Sequence, residues 1–205
     1  MMTVLKILLA LAVVGGSGAL CIFFLKDKIP CEKKGQSVPT QRLTAVLACC
    51  GNEQSTEVSF DYAGELTCAS ASHLFGGDKS CPYACIGYGD CEKICPEGAI
   101  TMKNGLPVID SLKCTFCKKC IEICPKGLIR PQSSSFSYYV ACSNKRFNKT
   151  EKYCETGCNG CGKCIEVCEK MAISYNGRRI IIDDNLCDLC GKCVEVCDRN
   201  VIKHV

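Results

Sequence analysis

The stretch CTFCKKCIEICPKG, Cys114 to Gly127, puts four thiols into eleven residues and follows the last with Pro125. Nearly the same stretch returns as CDLCGKCVEVCDRN, Cys187 to Asn200. The recurrence extends well beyond this run. Moving Cys81, Cys85, Cys91, Cys95, Cys114, Cys117, Cys120 and Cys124 forward by 73 residues lands on Cys154, Cys158, Cys164, Cys168, Cys187, Cys190, Cys193 and Cys197. Ala99-Ile100 likewise maps onto Ala172-Ile173, and Ile109-Asp110 onto Ile182-Asp183. Such self-similarity marks a duplicated unit. The serine-rich Pro131–Ser137 is the natural boundary, giving a first unit with an N-terminal extension over 43–132 and a second over 133–205.

Composition says what holds such units together. The chain has 205 residues, 23 of them cysteine, with no tryptophan and two histidines. A core of large side chains is thin for this length, so disulfides or metals must contribute. The net charge of +4 is unevenly placed. Residues 26–42 supply +3, from Lys26, Lys28, Lys33, Lys34 and Arg42 against Asp27 and Glu32, and 43–205 is close to neutral. A nucleic-acid binder would carry its basic excess on the folded part, so that class is disfavoured.

Disulfides, zinc and iron–sulfur clusters are the chemistries that use many cysteines. Disulfides need an oxidising compartment. Structural zinc prefers two separated C-x2-C pairs, often with histidine. Here four cysteines fall in one run, C-x2-C-x2-C-x3-C, which is the bacterial ferredoxin signature: three thiolates hold one [4Fe–4S] cluster and the fourth reaches a second. Cys120 and Cys124 lie one helical turn apart and can leave the same face of a short helix, which Pro125 ends. The expected ligand sets are therefore Cys95, Cys114, Cys117 and Cys120; Cys81, Cys85, Cys91 and Cys124; Cys168, Cys187, Cys190 and Cys193; and Cys158, Cys161, Cys164 and Cys197. The Cys81 group is irregular, because Tyr88 fills the slot that Cys161 fills in the second unit. Either Cys81 supplies the missing thiolate, for four clusters in all, or that site is a three-iron or labile cluster and three complete cubes remain. Cys21, Cys31, Cys49, Cys50, Cys68, Cys142 and Cys154 are then left over. Free cysteine packs as a small apolar residue, which accounts for them as core filler, although Cys49, Cys50 and Cys68 could also build a fifth site.

Each unit carries an Asn-Gly pair between apolar runs, Asn104-Gly105 and Asn176-Gly177, which predicts a tight hairpin turn. The pairs differ by one residue in register, so imperfect superposition is expected. Val46–Cys49 and Tyr139–Cys142 read as related short strands opening the units. No Gly-rich phosphate loop follows a strand, and His73 and His204 are isolated. Clusters without a substrate site mean electron carriage rather than an active site of the chain's own.

At the N-terminus, Ile7–Leu25 is uncharged over 19 residues, or about 28 Å as a helix, close to the hydrocarbon thickness of a bilayer. Lys6 precedes it and a denser lysine cluster follows, the heavier positive flank that marks the cytoplasmic side. The rival is a cleaved signal peptide, suggested by the small residues Gly15–Ala19. The reading adopted is a transmembrane anchor over 1–25 and a linker over 26–42. Localisation follows as single-pass in the inner membrane with the iron–sulfur region inside the cell. The expected fold class is α+β: a transmembrane helix, then two tandem ferredoxin-like units of two [4Fe–4S] clusters each.

VLACCGN (46–52), FGGDKSCPYACIGYGDCEKICPEGAI (75–100), CTFCKKCIEICPKGLI (114–129), YYVACSNKR (138–146), GCNGCGKCIEVC (157–168) and CDLCGKCVEVC (187–197) together resemble the B subunit family of the Rnf electron-transport complex, the membrane-bound ferredoxin:NAD oxidoreductase. The resemblance implies an electron-transfer subunit with ferredoxin as electron donor. Its partners would be the membrane and soluble subunits that reduce NAD and translocate ions. It also implies a loss, because the family's extra cysteine domain with a C-x2-C-x4-C core has only residues 26–42 and Cys31 in its place. The alternative is a stand-alone anchored polyferredoxin serving another oxidoreductase.

Overall fold

Beyond residue 42, apolar runs of three to five residues, each broken by a cysteine loop or a turn, can form only short elements, and the computed structural model contains only such elements among its described residues. It describes residues 42–74, 76–134, 137–147 and 150–205. Strand β1 (Leu43–Leu47) is followed by helices α1 (Cys68–Ser72) and α2 (Asp90–Lys93), the hairpin β2 (Ile100–Lys103) and β3 (Leu106–Ile109), helix α3 (Lys119–Ile123) and strand β4 (Ile129–Ser133). Then come β5 (Tyr138–Val140), α4 (Thr150–Tyr153), α5 (Lys163–Glu166), the hairpin β6 (Ile173–Tyr175) and β7 (Ile180–Ile182), α6 (Lys192–Glu195) and β8 (Ile202–His204).

The duplication is visible in the pairing. The opening strand of each half lies antiparallel to its closing strand: β1 on β4, with Leu47 opposite Ile129, and β5 on β8, with Val140 opposite Ile202. The hairpins keep one register, with Ile100 opposite Ile109 and Ile173 opposite Ile182. Asn104 and Gly105 form the two-residue turn expected of them, both at positive φ, 49° and 71°. The second turn is longer. The Asn176 side chain accepts hydrogen bonds from the Arg178 and Arg179 N–H groups, so the one-residue shift is absorbed at the tip and the ladder below is unchanged.

Two small cores result. Ala45, Leu47, Ala99, Ile100, Leu128 and Ile129 pack with Cys91, Cys114 and Cys120; Ile173, Ile180, Val201 and Ile202 pack with Cys193. Cysteine stands where larger apolar side chains would sit, as the composition requires.

Among the described residues no helix is long and apolar enough to cross a membrane. Helices of four or five residues reach about 6–8 Å, against a hydrocarbon layer of about 30 Å. The expected fold class is corrected here: the two ferredoxin-like units stand, and the transmembrane helix does not. The single-pass inner-membrane localisation is corrected for the same reason. Ile7–Leu25, on which both rested, and the segment from Lys26 to Gln41 lie outside the described residues.

Ile129 is 2% exposed and closes the first core. Ile129→Ala should cost about 2–5 kcal/mol, read as a lower midpoint in anaerobic urea denaturation followed by circular dichroism. A loss under about 0.5 kcal/mol, the range of an ordinary surface substitution, would show the strand pair to be dispensable.

Candidate functional site

One backbone device builds all four cysteine loops. Two and four residues after its first cysteine, each loop passes through left-handed φ: Phe116 and Lys118 (55° and 66°), Leu189 and Gly191 (63° and 78°), Gly160 and Gly162 (73° and 82°), Gly87 and Gly89 (96° and 76°). Interspersed left-handed residues turn neighbouring N–H groups to one side and make a concavity for anions. The sulfurs use it: Cys114 accepts from the Phe116 N–H, and Cys158 from the Gly160 N–H. At Gly87 the requirement is strict. A Cβ there would stand 2.8 Å from the Gly105 carbonyl oxygen, so the hairpin tip packs against the loop only because that side chain is absent.

The loops gather their thiols into groups. Cys95, Cys114, Cys117 and Cys120 lie within electrostatic reach of one another; burial, then the other three thiols, push Cys120 up to about 11. Burial alone would also raise Cys114. Hydrogen bonds from the Thr44 hydroxyl and the Ala45 and Phe116 N–H groups, with the Arg42 charge, instead hold it below its ordinary value. Arg42 is fixed in place, its guanidinium donating to the carbonyls of Leu112 (2.8 Å) and Cys114 (3.2 Å). In the second half, Cys168, Cys187 and Cys190 surround Cys193, which burial first and their charges next raise. Cys158, Cys161, Cys164 and Cys197 line one hollow with Val140, Ile180 and Ile202. Burial and those thiols push Cys164 up to about 11.

The irregular loop resolves differently. Cys85, Cys91 and Cys124 line a hollow whose fourth thiol is Cys68, from the start of α1. Burial, then Cys68 and Cys124, push Cys91 up to about 12. Asp90 holds α1 there, its carboxylate accepting the Cys68 N–H at 2.8 Å. The Tyr88 hydroxyl donates to Asp78 at 3.1 Å, and its ring stacks on Tyr62. Cys81 lines a different hollow, together with Cys49, Cys50, Cys142 and Cys154. The sequence offered no periodic signal for Cys68, which has no repeat partner. The one hint was the tyrosine in the loop.

Where proline follows Cys95 and Cys124, the second half has Glu169 and Asp198. Both form ion pairs with the first residue of the other motif's helix: Asp198 with Lys163 on α5 at 2.6 Å, and Glu169 with Lys192 on α6. These surface pairs tie the two loops together where the first half relies on the fixed φ of proline.

Three of the expected groups, and the group of Cys68 with Cys85, Cys91 and Cys124, each offer four thiols, the donor set of a [4Fe–4S] cube. Among the described residues no three His, Cys, Asp or Glu side chains converge on a single-ion site. Thiolates on a cube bind separate irons at separate corners and stand farther apart than the ligands of one ion. A second observation supports the fit. The Lys79 ammonium is buried without a hydrogen-bond partner among the described residues and its charge bears on Cys85. An anionic thiolate-bound centre supplies the countercharge that a buried cation needs.

Family comparison agrees. A 4Fe-4S dicluster domain matches residues 84–128, and a second matches 157–202. Ferredoxin-1 of Rhodobacter capsulatus is 39% identical over 49 residues, covering 75% of that protein and 21% of this chain. The chain belongs to the [4Fe–4S] dicluster ferredoxins. Its two dicluster domains carry four [4Fe–4S] clusters. Over most of its length this dicluster ferredoxin also resembles the B subunit of Rnf complexes. It is 34% identical over 161 residues to the B subunit of the Na(+)-translocating ferredoxin:NAD(+) oxidoreductase complex of Acetobacterium woodii, covering 73% of this chain and 47% of that one. It is 35% identical over 156 residues to the proton-translocating counterpart of Clostridium ljungdahlii, covering 75% and 55%. The chain spans about half the length of these two relatives.

Two outcomes follow from this geometry. Gly87→Ala should destabilise the first half by about 1–3 kcal/mol through backbone strain and the clash with Gly105, seen as faster anaerobic loss of visible cluster absorbance in denaturant; an unchanged rate would contradict the close approach. Lys79→Met should move one reduction potential to a more negative value in an EPR-monitored titration, because a positive charge favours the added electron. A potential that stays put would mean Lys79 does not face that centre.

Proposed function

We propose that this chain is the iron–sulfur electron-transfer subunit of an Rnf-like complex, taking electrons from reduced ferredoxin and passing them to partner subunits that reduce NAD and move ions. The observation that carries this reading is the fourfold repetition of one thiol-bearing loop in a chain related to Rnf B subunits along three quarters of its length.

The ligand sets follow the groups. Cys95, Cys114, Cys117 and Cys120 hold one cluster, Cys158, Cys161, Cys164 and Cys197 another, and Cys168, Cys187, Cys190 and Cys193 a third. For the fourth we assign Cys68 with Cys85, Cys91 and Cys124, in place of Cys81. Ligation is crossed: Cys124 and Cys197 each close the set whose other members lie earlier in the chain.

A bound [4Fe–4S] cluster takes up and releases one electron. The chain's part is to hold and tune. N–H groups from the left-handed loops and the Thr44 hydroxyl point at sulfur, which favours the reduced, more negative form. Leu47, Leu128 and Ile129 wall the Cys68 hollow, and Val140, Val201 and Ile202 wall the Cys158 hollow. These apolar walls limit water and so the reorganisation that accompanies each charge change.

Full-length chain, prepared anaerobically and mixed with reduced ferredoxin, should reoxidise ferredoxin at one electron per bound cluster. Reduction by dithionite but not by ferredoxin would point to the second reading, a polyferredoxin serving another oxidoreductase. That reading draws on the likeness to small ferredoxins such as Ferredoxin-1 of Rhodobacter capsulatus.

Cys68→Ala should remove or convert the cluster shared with Cys124, and Cys124→Ser should do the same, both leaving the Cys95–Cys120 cluster intact in EPR spectra. If Cys81→Ala abolishes that signal and Cys68→Ala spares it, the assignment is wrong.

A further inference from the structure

Among the described residues five cysteines stand outside the three uncontested ligand sets and the Cys68 set, and they meet in one place. Cys49, Cys50, Cys81, Cys142 and Cys154 line a single hollow between the two halves, with Gly51, Tyr83, Asn144 and Gly157. Four of them are two repeat-related pairs. Cys154 is the counterpart of Cys81 in the 73-residue repeat, and Cys142 follows β5 as Cys49 follows β1. Each half therefore brings the same two thiols to the junction.

These four behave as ligands do in the loops already described. The Cys49 sulfur accepts from the Gly51 N–H, Cys81 from the Tyr83 N–H and Cys142 from the Asn144 N–H. This is the residue-to-second-neighbour bond seen at Cys114 and Cys158. Cys154 accepts from the buried Thr56 hydroxyl at 3.7 Å. A Cβ on Gly51 would lie 3.1 Å from the Cys154 sulfur and 3.9 Å from the Cys49 sulfur, so backbone without a side chain separates two thiols from opposite halves. Cys50 is the exception. It has Ser143 as its counterpart and its thiol donates to the Thr156 carbonyl at 3.0 Å.

We propose that Cys49, Cys81, Cys142 and Cys154 ligate a fifth [4Fe–4S] cluster, which bridges the two dicluster halves. Each iron–sulfur bond forms with loss of one thiol proton, the iron and sulfide coming from the assembly machinery or a reconstitution mixture. The site's neighbours give it a role, and this part rests on the electron-transfer reading above. The Cys49 sulfur accepts from the N–H of Cys85 at 3.4 Å, and the Cys142 sulfur accepts from the N–H of Cys158. Cys85 and Cys158 are themselves assigned ligands, one in each half. The site thus stands between the two halves with a hydrogen bond to each, the position of a relay joining them.

Iron and acid-labile sulfide are counted in anaerobically reconstituted full-length chain and in Cys142→Ser, Cys154→Ser and Cys50→Ala. The wild type should hold about twenty irons and take up about five electrons in a reductive titration. Cys142→Ser and Cys154→Ser should each lose one cluster's signal, keeping about sixteen irons or converting one cube to a three-iron form, and Cys50→Ala should match the wild type. A wild-type count of about sixteen with four electrons overturns the fifth site and leaves the four-cluster reading standing. One zinc per chain at an iron count of about sixteen overturns it too. Loss of iron in Cys50→Ala overturns the choice of ligands. Failure of ferredoxin to reduce a twenty-iron protein would reject the proposed partner while keeping the site.

Discussion

Burying a thiol is cheap, but burying a thiolate without a positive partner is not. In the bare chain, burial pushes Cys85 and Cys91 up to about 12 and Cys120 and Cys164 up to about 11. A bound cluster would reverse that balance: its iron would supply the positive charge, and each ligating thiol would bind as thiolate with its proton released to solvent. The same sulfurs form much of the two small cores, so holding metal and holding the fold are one event. A chain with no tryptophan and, among its described residues, helices of only four or five residues has little else to close its hydrophobic interior. The positive-φ loops are the local form of this constraint. Phe116, Lys118 and Leu189 adopt a conformation that side-chain-bearing residues avoid, and the bonds made to sulfur compensate.

Duplication gives the molecule its plan, and the departures from symmetry carry information. Tyr88 stands where the second half has Cys161, and α1, pinned by Asp90, brings Cys68 to the hollow of Cys85, Cys91 and Cys124. Ion pairs of Glu169 and Asp198 replace two prolines. The loop backbone is the same in both halves, down to the register of the hairpins. What changes is how its ends are fastened.

Kinship with the Rnf B subunits and with small ferredoxins bears on different parts of the chain. The ferredoxin likeness covers about one dicluster unit. The likeness to the B subunits covers about three quarters of the chain, more than one dicluster unit. A free two-cluster ferredoxin has no second unit to address. A chain with two units needs contact between them, and the junction built from β1, β5 and the residues after α4 provides it.

The sequence by itself determined the duplication, the hairpin turns and the thiol-rich loops, because each depends on residues a few positions apart. The spacing C-x2-C-x2-C-x3-C brings three thiols together in one loop and sets the fourth one helical turn on for local reasons, and Asn104-Gly105 turns for local steric reasons. Only tertiary structure shows that Cys68, and not Cys81, shares a hollow with Cys85, Cys91 and Cys124. Proximity in sequence pointed to Cys81 beside Cys85, but the chain between them leads Cys81 to the junction, while α1 comes back from the extension to fill the gap. Nor could spacing show that Cys49, Cys81, Cys142 and Cys154 meet, since they lie up to about a hundred residues apart. Their meeting depends on how the opening strand of each half pairs with its closing strand, and strand pairing over such separations is fixed by burial of whole faces rather than by any local pattern.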